Sequence, residues 1–358
     1  MGHRSTAHVD ERDAPSIGVP LRPPTLRVGL DLAGSLEPLG DTMMNLVGAL
    51  EERTLELVTF ATRKMDEPVD GVVRTFPSVL RPLWRRGRGP AIDRFLPPLD
   101  VLHVAGTLVP PTKRTPLLVS VDDLRPLRDE SAGRWRIEQL RRSVDRGAQI
   151  VATSYAARRE VQSVLEIENQ DIAVAHPAVA IKTRPKVGNS LLVSVTGTAE
   201  LFLALAPELT QLAQAQGSQV VVLASREAGT RFKAECPDVI VRSRTRARRL
   251  LWEARSVLHL SDGARFPSLP VAAFAASIPV VATSTDVNRE LLEGAADLVE
   301  LYDHDAIIAS VLRNFADESH RQLLAAAGNV RAVDFSPPVV AERYERLYRD
   351  AVSESRTK

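Results

Sequence analysis

The sequence predicts an α/β protein made of two successive doubly wound parallel-sheet domains. Three observations carry this expectation. Short Val/Leu-rich runs alternate with stretches of helical period along almost the whole chain; polar Gly/Pro turns follow the apolar runs; and the polar segment KTRPKVGNS, Lys182–Ser190, divides the series in two. Parallel strands need crossovers and both sheet faces must be covered, so strand–helix alternation of this kind belongs to an open parallel sheet with helices on both sides. The chain has 358 residues, 44% of them hydrophobic and 25% charged, which is enough for two cores.

Residues 1–24, MGHRSTAHVDERDAPSIGVPLRPP, read as a tail with no apolar core. The first domain, 25–185, opens with a strand at Leu26–Leu30 and a Gly/Pro-interrupted loop, Ala33–Gly40. Asp41 is the expected N-cap of a helix Thr42–Glu51, in which Met43, Leu46, Val47 and Leu50 share a face. Further strands are expected at Leu55–Phe60, Val72–Thr75, Val101–Val104, Leu117–Val121, Gln149–Thr153 and Ile172–Ala175. Between them lie the basic run Arg81–Arg88, a basic helix Arg134–Arg146, and a helix capped by Ser154.

The second domain, 186–336, begins with a strand at Leu191–Val195, the turn Thr196–Gly197–Thr198 and a helix Leu201–Ala215. Strands Gln219–Leu223 and Val239–Val241 each precede an Arg-bearing loop. Next comes SVLHLSDGARFPSLPVAAFAASIPVV, which reads as a buried strand Ser256–Leu260, a polar turn Ser261–Pro267, an Ala-rich helix Leu269–Ala276 and a strand Ile278–Ala282. Ligands of open parallel sheets bind beyond the carboxyl ends of strands, and free N–H groups at a following helix favour anions; a tight turn without a ligand is the plainer alternative. Residues 337–358 start with Pro337–Pro338, so a final helix, Val339–Ser353, starts afresh.

Lys+Arg 46 against Asp+Glu 45 gives a net charge of +1, so nothing global points to nucleic acid. The single cysteine, Cys236, excludes an intrachain disulfide and suits a reducing compartment, and no apolar run spans a bilayer; a cytoplasmic protein is expected. The run RPLWRRGRG, with Arg85 and Trp84, is a candidate for a phosphorylated acceptor or for peripheral contact with the inner face of a membrane, against the plainer reading of a solvated loop. His103 and the pair Asp122-Asp123 are expected just beyond strand ends, where side chains reach a cleft; a cation, a sugar hydroxyl or a helix cap would each suit the two acids.

The stretches DVLH…VPP…PLLVSVDDLRPL, QIVATSYAARREV and SVLHLSDG…FPSLPVAAFAASIPVVAT…NRELLEGAADLV, in that order, resemble the group 1 (family 4) retaining glycosyltransferases, from about Leu26 to Val352. The resemblance implies the GT-B fold: two Rossmann-like domains, an interdomain cleft, and a final helix crossing back to the N-domain. It implies a UDP- or GDP-linked sugar as donor, no cofactor or required metal, and a glycan, lipid-linked or small-molecule acceptor. It places Gly34 and Gly40 in a Gly-rich loop near the donor phosphates and Asp122-Asp123 on the acceptor side; His103 and Arg85 are the further acceptor-side candidates, and Thr196 and Gly197 are donor-binding candidates. Gly263, Phe266, Pro267, Ser268 and Leu269 would offer backbone N–H groups, and Glu290 would bond a hydroxyl or cap a helix.

The departures are equally specific. The family's acceptor-side His-Asp is Asp122-Asp123 here, and its basic pair for the diphosphate is missing from TGTAELFLAL. Arg226, Arg242, Arg244 and Arg246 are the replacement candidates. Of the family's two Glu residues across the donor turn, the first falls on Asp262 and the second on Pro270, or, aligned on PVV, on Ala264 and Ala272. The resulting expectations are an active transferase with a rebuilt donor site, using Asp262, Asp122 and Asp123, or a non-catalytic relative that binds a nucleotide-sugar, glycan or protein.

Overall fold

The computed structural model describes residues 25–32, 37–62, 74–76, 79–105, 108–124, 133–168, 172–180 and 188–357. Gly34, Gly106 and most of the expected linker, 182–187, lie outside the described residues.

The first sheet is built from β1 (Leu26–Asp31), β2 (Leu55–Ala61), β3 (Arg74–Thr75), β4 (Val101–Ala105), β5 (Leu117–Val121), β6 (Gln149–Ala152) and β7 (Ile172–Val174). Its order is β3-β2-β1-β4-β5-β6-β7, and every pairing is parallel. The connecting helices are α1 (Glu37–Glu51), α2 (Leu80–Arg85), α3 (Arg134–Val144) and α4 (Tyr155–Leu165). The second sheet has β8 (Ser190–Thr196), β9 (Gln219–Ala224), β10 (Ile240–Ser243), β11 (Ala254–Ser261), β12 (Val280–Thr283) and β13 (Asp297–Val299), in the order β10-β9-β8-β11-β12-β13, again all parallel. Its helices are α5 (Ala199–Ala215), α6 (Arg226–Glu235), α7 (Ala247–Leu251), α8 (Ser268–Ala275), α9 (Asp286–Leu292), α10 (His304–Ala316) and α11 (Glu318–Ala332). Both sheets reverse their winding once, between β1 and β4 and between β8 and β11, and such switch points open a crevice at the strands' carboxyl ends.

Each sheet has a hydrophobic core on both faces. In the second domain Val257, Val280 and Leu192 face α7, α8 and α9, whereas Val193, Leu258 and Val281 face α5 and α10. In the first domain one face is covered by α2, α3 and α4. The other is closed by α1 together with the last helix, α12 (Pro337–Thr357), whose Val340, Ala341, Tyr344, Tyr348, Ala351 and Val352 are buried beside Val28, Leu30 and Leu46. The final helix therefore returns to the N-terminal domain. It starts at Pro337 itself, because the first helical position needs no N–H.

Three sequence expectations change. α1 begins at Glu37, not Thr42, so Gly40 and Asp41 are inside a helix and not in a phosphate loop; Pro38 is tolerated because first-turn N–H groups have no intrahelical partner. The Arg81–Arg88 run contains α2, and Trp84 is fully buried, its indole N–H bonded to the Pro90 carbonyl at 3.0 Å, so the aromatic belongs to the core. His103 lies within β4, not beyond its end. It is fully buried and contacts the Tyr348 hydroxyl (2.8 Å) and Ser120 Oγ (2.7 Å), with the Tyr344 ring stacked 5.4 Å away. Burial lowers its pKa to about 3, leaving a neutral imidazole that ties α12 to the sheet.

Replacing Tyr348 by Phe keeps the ring and strands one buried imidazole nitrogen. The expected result is a loss of about 1–3 kcal/mol in denaturant unfolding with secondary structure retained; an unchanged midpoint would show that the hydroxyl does not anchor the helix.

Candidate functional site

The carboxyl ends of β5 and β6 face those of β11 and β12, and carboxylate–amide bonds join them beside an Arg159–Asp286 ion pair at 3.5 Å. Asp122, one residue past β5, is almost completely buried; its Oδ1 accepts the Thr153 hydroxyl at 2.7 Å and, from the other domain, the backbone N–H of Phe266 at 3.0 Å. Oδ2 is buried without a hydrogen-bond partner. In the reverse direction Glu290, on α9, accepts the first-turn N–H groups of α4: Tyr155 N at 2.8 Å and Ala156 N at 2.7 Å. These are otherwise orphan donors at the positive end of a helix, so a carboxylate there is doubly favoured. Of the two roles expected for Glu290, helix capping is the one with a partner in the structure, and the cap crosses the domain boundary.

Burial raises the Asp122 pKa to about 6 and Asp123 adds to the rise, opposed by the bonds from Thr153 and Phe266 and by the charge of Arg265. Asp123 is also buried. Phe266 is held on its other side by Phe335, ring centroids 5.7 Å apart; Phe335 contacts His176 at 5.4 Å, and its carbonyl accepts Val179 N at 2.9 Å.

At the switch point of the second sheet, the loop after β8 and the turn after β11 touch. Gly197 has φ +78°, a backbone conformation that favours glycine, and the Asp262 carboxylate lies against its Cα. Asp262 is exposed at the mouth of the turn and its N–H points to Thr196 O at 3.4 Å. Thr283, at the end of β12, braces the end of β11 by accepting Ser261 N at 2.9 Å and donating to Ser261 O at 2.6 Å.

Most of the backbone donors expected in this turn are already engaged. Pro267 has no N–H; Phe266 N goes to Asp122, Ser268 N to Phe266 O at 2.9 Å, and Gly263 N to Ser261 Oγ at 3.4 Å. Leu269 N alone of the five has no partner among the described residues. Pro270 and Ala272, where one or other register puts the second acid, are buried apolar positions of α8.

The arginines separate clearly. Arg226 is exposed in the first turn of α6 and Arg246 is exposed before α7. Arg242 is exposed and bonds the carbonyl of its neighbour Val241 at 3.1 Å. Arg244, in the short 3₁₀ turn after β10, reaches past β9 to donate to Val195 O at 2.9 Å, which brings its guanidinium to the end of β8 beside Thr196–Gly197. Beneath it is a residue that sequence reasoning missed. His259 on β11 bonds Ser194 Oγ on β8 at 2.6 Å, and burial, then the charge of Arg244, lower its pKa to about 4; its Nε2 is buried with no partner. A histidine inside an otherwise apolar strand was the available signal. His103 is absent from this cluster, and Arg85 lies elsewhere, on the outer side of α2, stacked on Trp135 at 5.1 Å.

No protein-family model matches the chain, and no curated protein does. Solved structures do. HepE of Anabaena, crystallised with UDP and glucose, superposes with a TM-score of 0.62 at 14% identity over 90% of this chain and 99% of its own. The fold is GT-B. Sucrose-phosphate synthase of Thermosynechococcus elongatus gives 0.63 at 12% identity over 92% of this chain and 100% of its own. TarM of S. aureus gives 0.56 at 12% identity over 72% of this chain, which spans 57% of TarM. Identities this low establish architecture, and chemistry has to be argued from the residues.

The upward shift of Asp122 has a sign that can be measured. A carboxyl whose folded pKa is about 6 against an ordinary 3.8 contributes stability that is complete below pH 3.8 and disappears as pH rises through 6. Asp122→Asn lacks this titration, so the stability of the natural chain relative to the variant should fall by about 3 kcal/mol between acid and neutral pH, read as melting temperatures across that range. A constant difference would show that the carboxyl does not titrate in this environment.

Proposed function

We propose that this protein is a glycosyltransferase that moves a sugar from a UDP- or GDP-linked donor to a glycan, lipid-linked or small-molecule acceptor with retention, and that its donor site has been rebuilt around Arg244. The observation that carries the proposal is the placement of the Arg244 guanidinium at the end of β8, beside the Thr196–Gly197 loop and the Asp262 turn at the switch point. A nucleoside diphosphate leaving group gains negative charge as the glycosidic bond breaks, and a fixed cation in a sheltered crevice is the group best suited to meet it. The usual basic pair is missing from the helix after β8, and Arg244 approaches the same place from β10. In this reading Leu269 N supplies a further hydrogen bond to the donor, Asp262 borders the sugar, and no metal is required. The crystallised HepE complex with UDP and glucose is in keeping with such a ligand class.

A second reading has its own support. Phe266 N and Glu290 both serve the contact between domains, and Pro270 and Ala272 offer no acid for a ribose. A non-catalytic GT-B relative that binds a nucleotide-sugar, glycan or protein partner would need neither.

Calorimetry of the full chain with UDP- and GDP-sugars, followed by a turnover assay on any binder, separates the two. The expected outcome is binding of at least one donor, weakened about tenfold or more by Arg244→Ala and unchanged by Arg226→Ala. No binding would sink the transferase reading, and binding without turnover would favour the second.

A further inference from the structure

A surface helix ordinarily turns its apolar stripe to the core and its charges to water. In α11 the cations face the protein instead. Arg321 donates to the Asn314 and Phe315 carbonyls at 3.2 and 3.0 Å, at the carboxyl end of α10, and pairs with Glu318. Arg331 donates to the Glu290 and Leu291 carbonyls at 2.9 and 3.0 Å, at the end of α9, and pairs with Asp334 at 2.6 Å. His320 contacts Asp297 at 2.8 Å. The two arginines thus satisfy carbonyls that helix ends leave open and meet the negative ends of two helix dipoles. On the same inner side Leu324 and Gly328 are buried, Gly328 against Phe274 of α8.

The outer face is correspondingly bare of charge. From Gln322 to Val333 every exposed residue is uncharged, and the most prominent are apolar: Leu323 is 70% exposed, Val330 76% and Val333 58%, with Ala326 exposed between them. Positions 323, 326, 330 and 333 recur at intervals of 3, 4 and 3, the a/d repeat of a two-helix seam, and Gly328 occupies the position opposite that seam. The polar residues beside it are already engaged, Gln322 with Glu318 Oε1 at 3.1 Å and Asn329 with Ser277 Oγ at 3.0 Å, so covering the seam does not deprive them of partners. Leu312 of the adjacent α10 is exposed as well.

We infer that this seam pairs with the same seam of a second copy of the chain, the two α11 helices running antiparallel about a two-fold axis. A two-fold contact sets one patch against itself, and a charged patch would then repel its own copy; this one carries no charge to repel, and none to select a charged partner. With the axis level with Gly328, Leu323 meets the partner's Val333 and Ala326 meets the partner's Val330, so a larger side chain faces a smaller one at each level. The 15 residues of α11 span about 22 Å, and a seam about 10 Å wide along them covers a few hundred Å², below the roughly 800 Å² per partner of a standard interface. The pair is therefore reversible and concentration-dependent, not obligate. The inference stands on α11 and its contacts and does not depend on the donor-site reading.

The test is sedimentation velocity of the full chain between about 1 and about 200 μM, where a monomer–dimer equilibrium is expected. Val330→Lys sets a charge in the seam of each copy and should weaken association about tenfold or more, with an unchanged melting temperature because the residue is exposed. Ala326→Glu should do the same. An equal mixture of the two variants should form a dimer that neither forms alone, since the antiparallel register brings the new acid of one chain to the new base of the other, and this dimer should weaken with salt. A natural chain that is monomeric at every concentration, a Val330→Lys variant that associates as the natural chain does, or a mixture that stays monomeric would each overturn the inference. Assembly that grows past a dimer would assign the seam to a head-to-tail contact and overturn it too.

Discussion

The arrangement of this molecule depends on an exchange of carboxylates for backbone amides between two domains. Asp122 of the first domain holds an amide of the turn after β11, and Glu290 of the second holds the free end of α4. The Asp122 carboxylate, left alone in its buried position, would be costly, and it is acceptable because the Phe266 amide it meets would itself be unsatisfied; Glu290 is only partly buried and acts as a cap on the first turn of α4. The pairing also explains why the Asp122 carboxyl is perturbed upward although it accepts two hydrogen bonds. Thr153 and Phe266 saturate only one of its oxygens, and burial outweighs them.

The same exchange shapes what the crevice can offer a ligand. A turn that looks generous in donors keeps few once its own closure is satisfied, since a proline contributes none and three other amides are internally bonded. The cation that reaches the crevice is Arg244, held there by a bond to a strand-end carbonyl. His259, neutral under it, adds no competing charge to the crevice.

The architecture was legible because strands buried on both faces are written as continuous apolar runs, and most of their ranges match the structure within a residue or two. Side-chain destinations were less legible. Trp84 sits in a run of arginines, yet the helical spacing of Leu80 and Trp84 turns the ring inward; His103 was expected beyond a strand end although the expected strand Val101–Val104 contains it, and every residue of β4 is buried. Both errors came from treating a polar or aromatic residue as exposed because its neighbours are. Partners of Asp122 and Glu290 were out of reach for a different reason: they are backbone amides from the opposite domain, and an amide has no signature in a sequence. Strand order alone would favour Arg226, since β9 is paired with β8 and β10 lies beyond it; the short turn after β10 is what carries Arg244 to the Val195 carbonyl.

The last helix has a consequence for the order in which the protein is made. The first domain's α1 face takes its cover from residues 337–357, so that domain remains without part of its core while the whole of the second is being synthesised. The second domain, whose sheet and helices are contiguous in sequence, completes its packing earlier. During translation the domain made earlier is thus completed later, and the face shared by β1 and α1 lacks part of its cover until residues 337–357 are made.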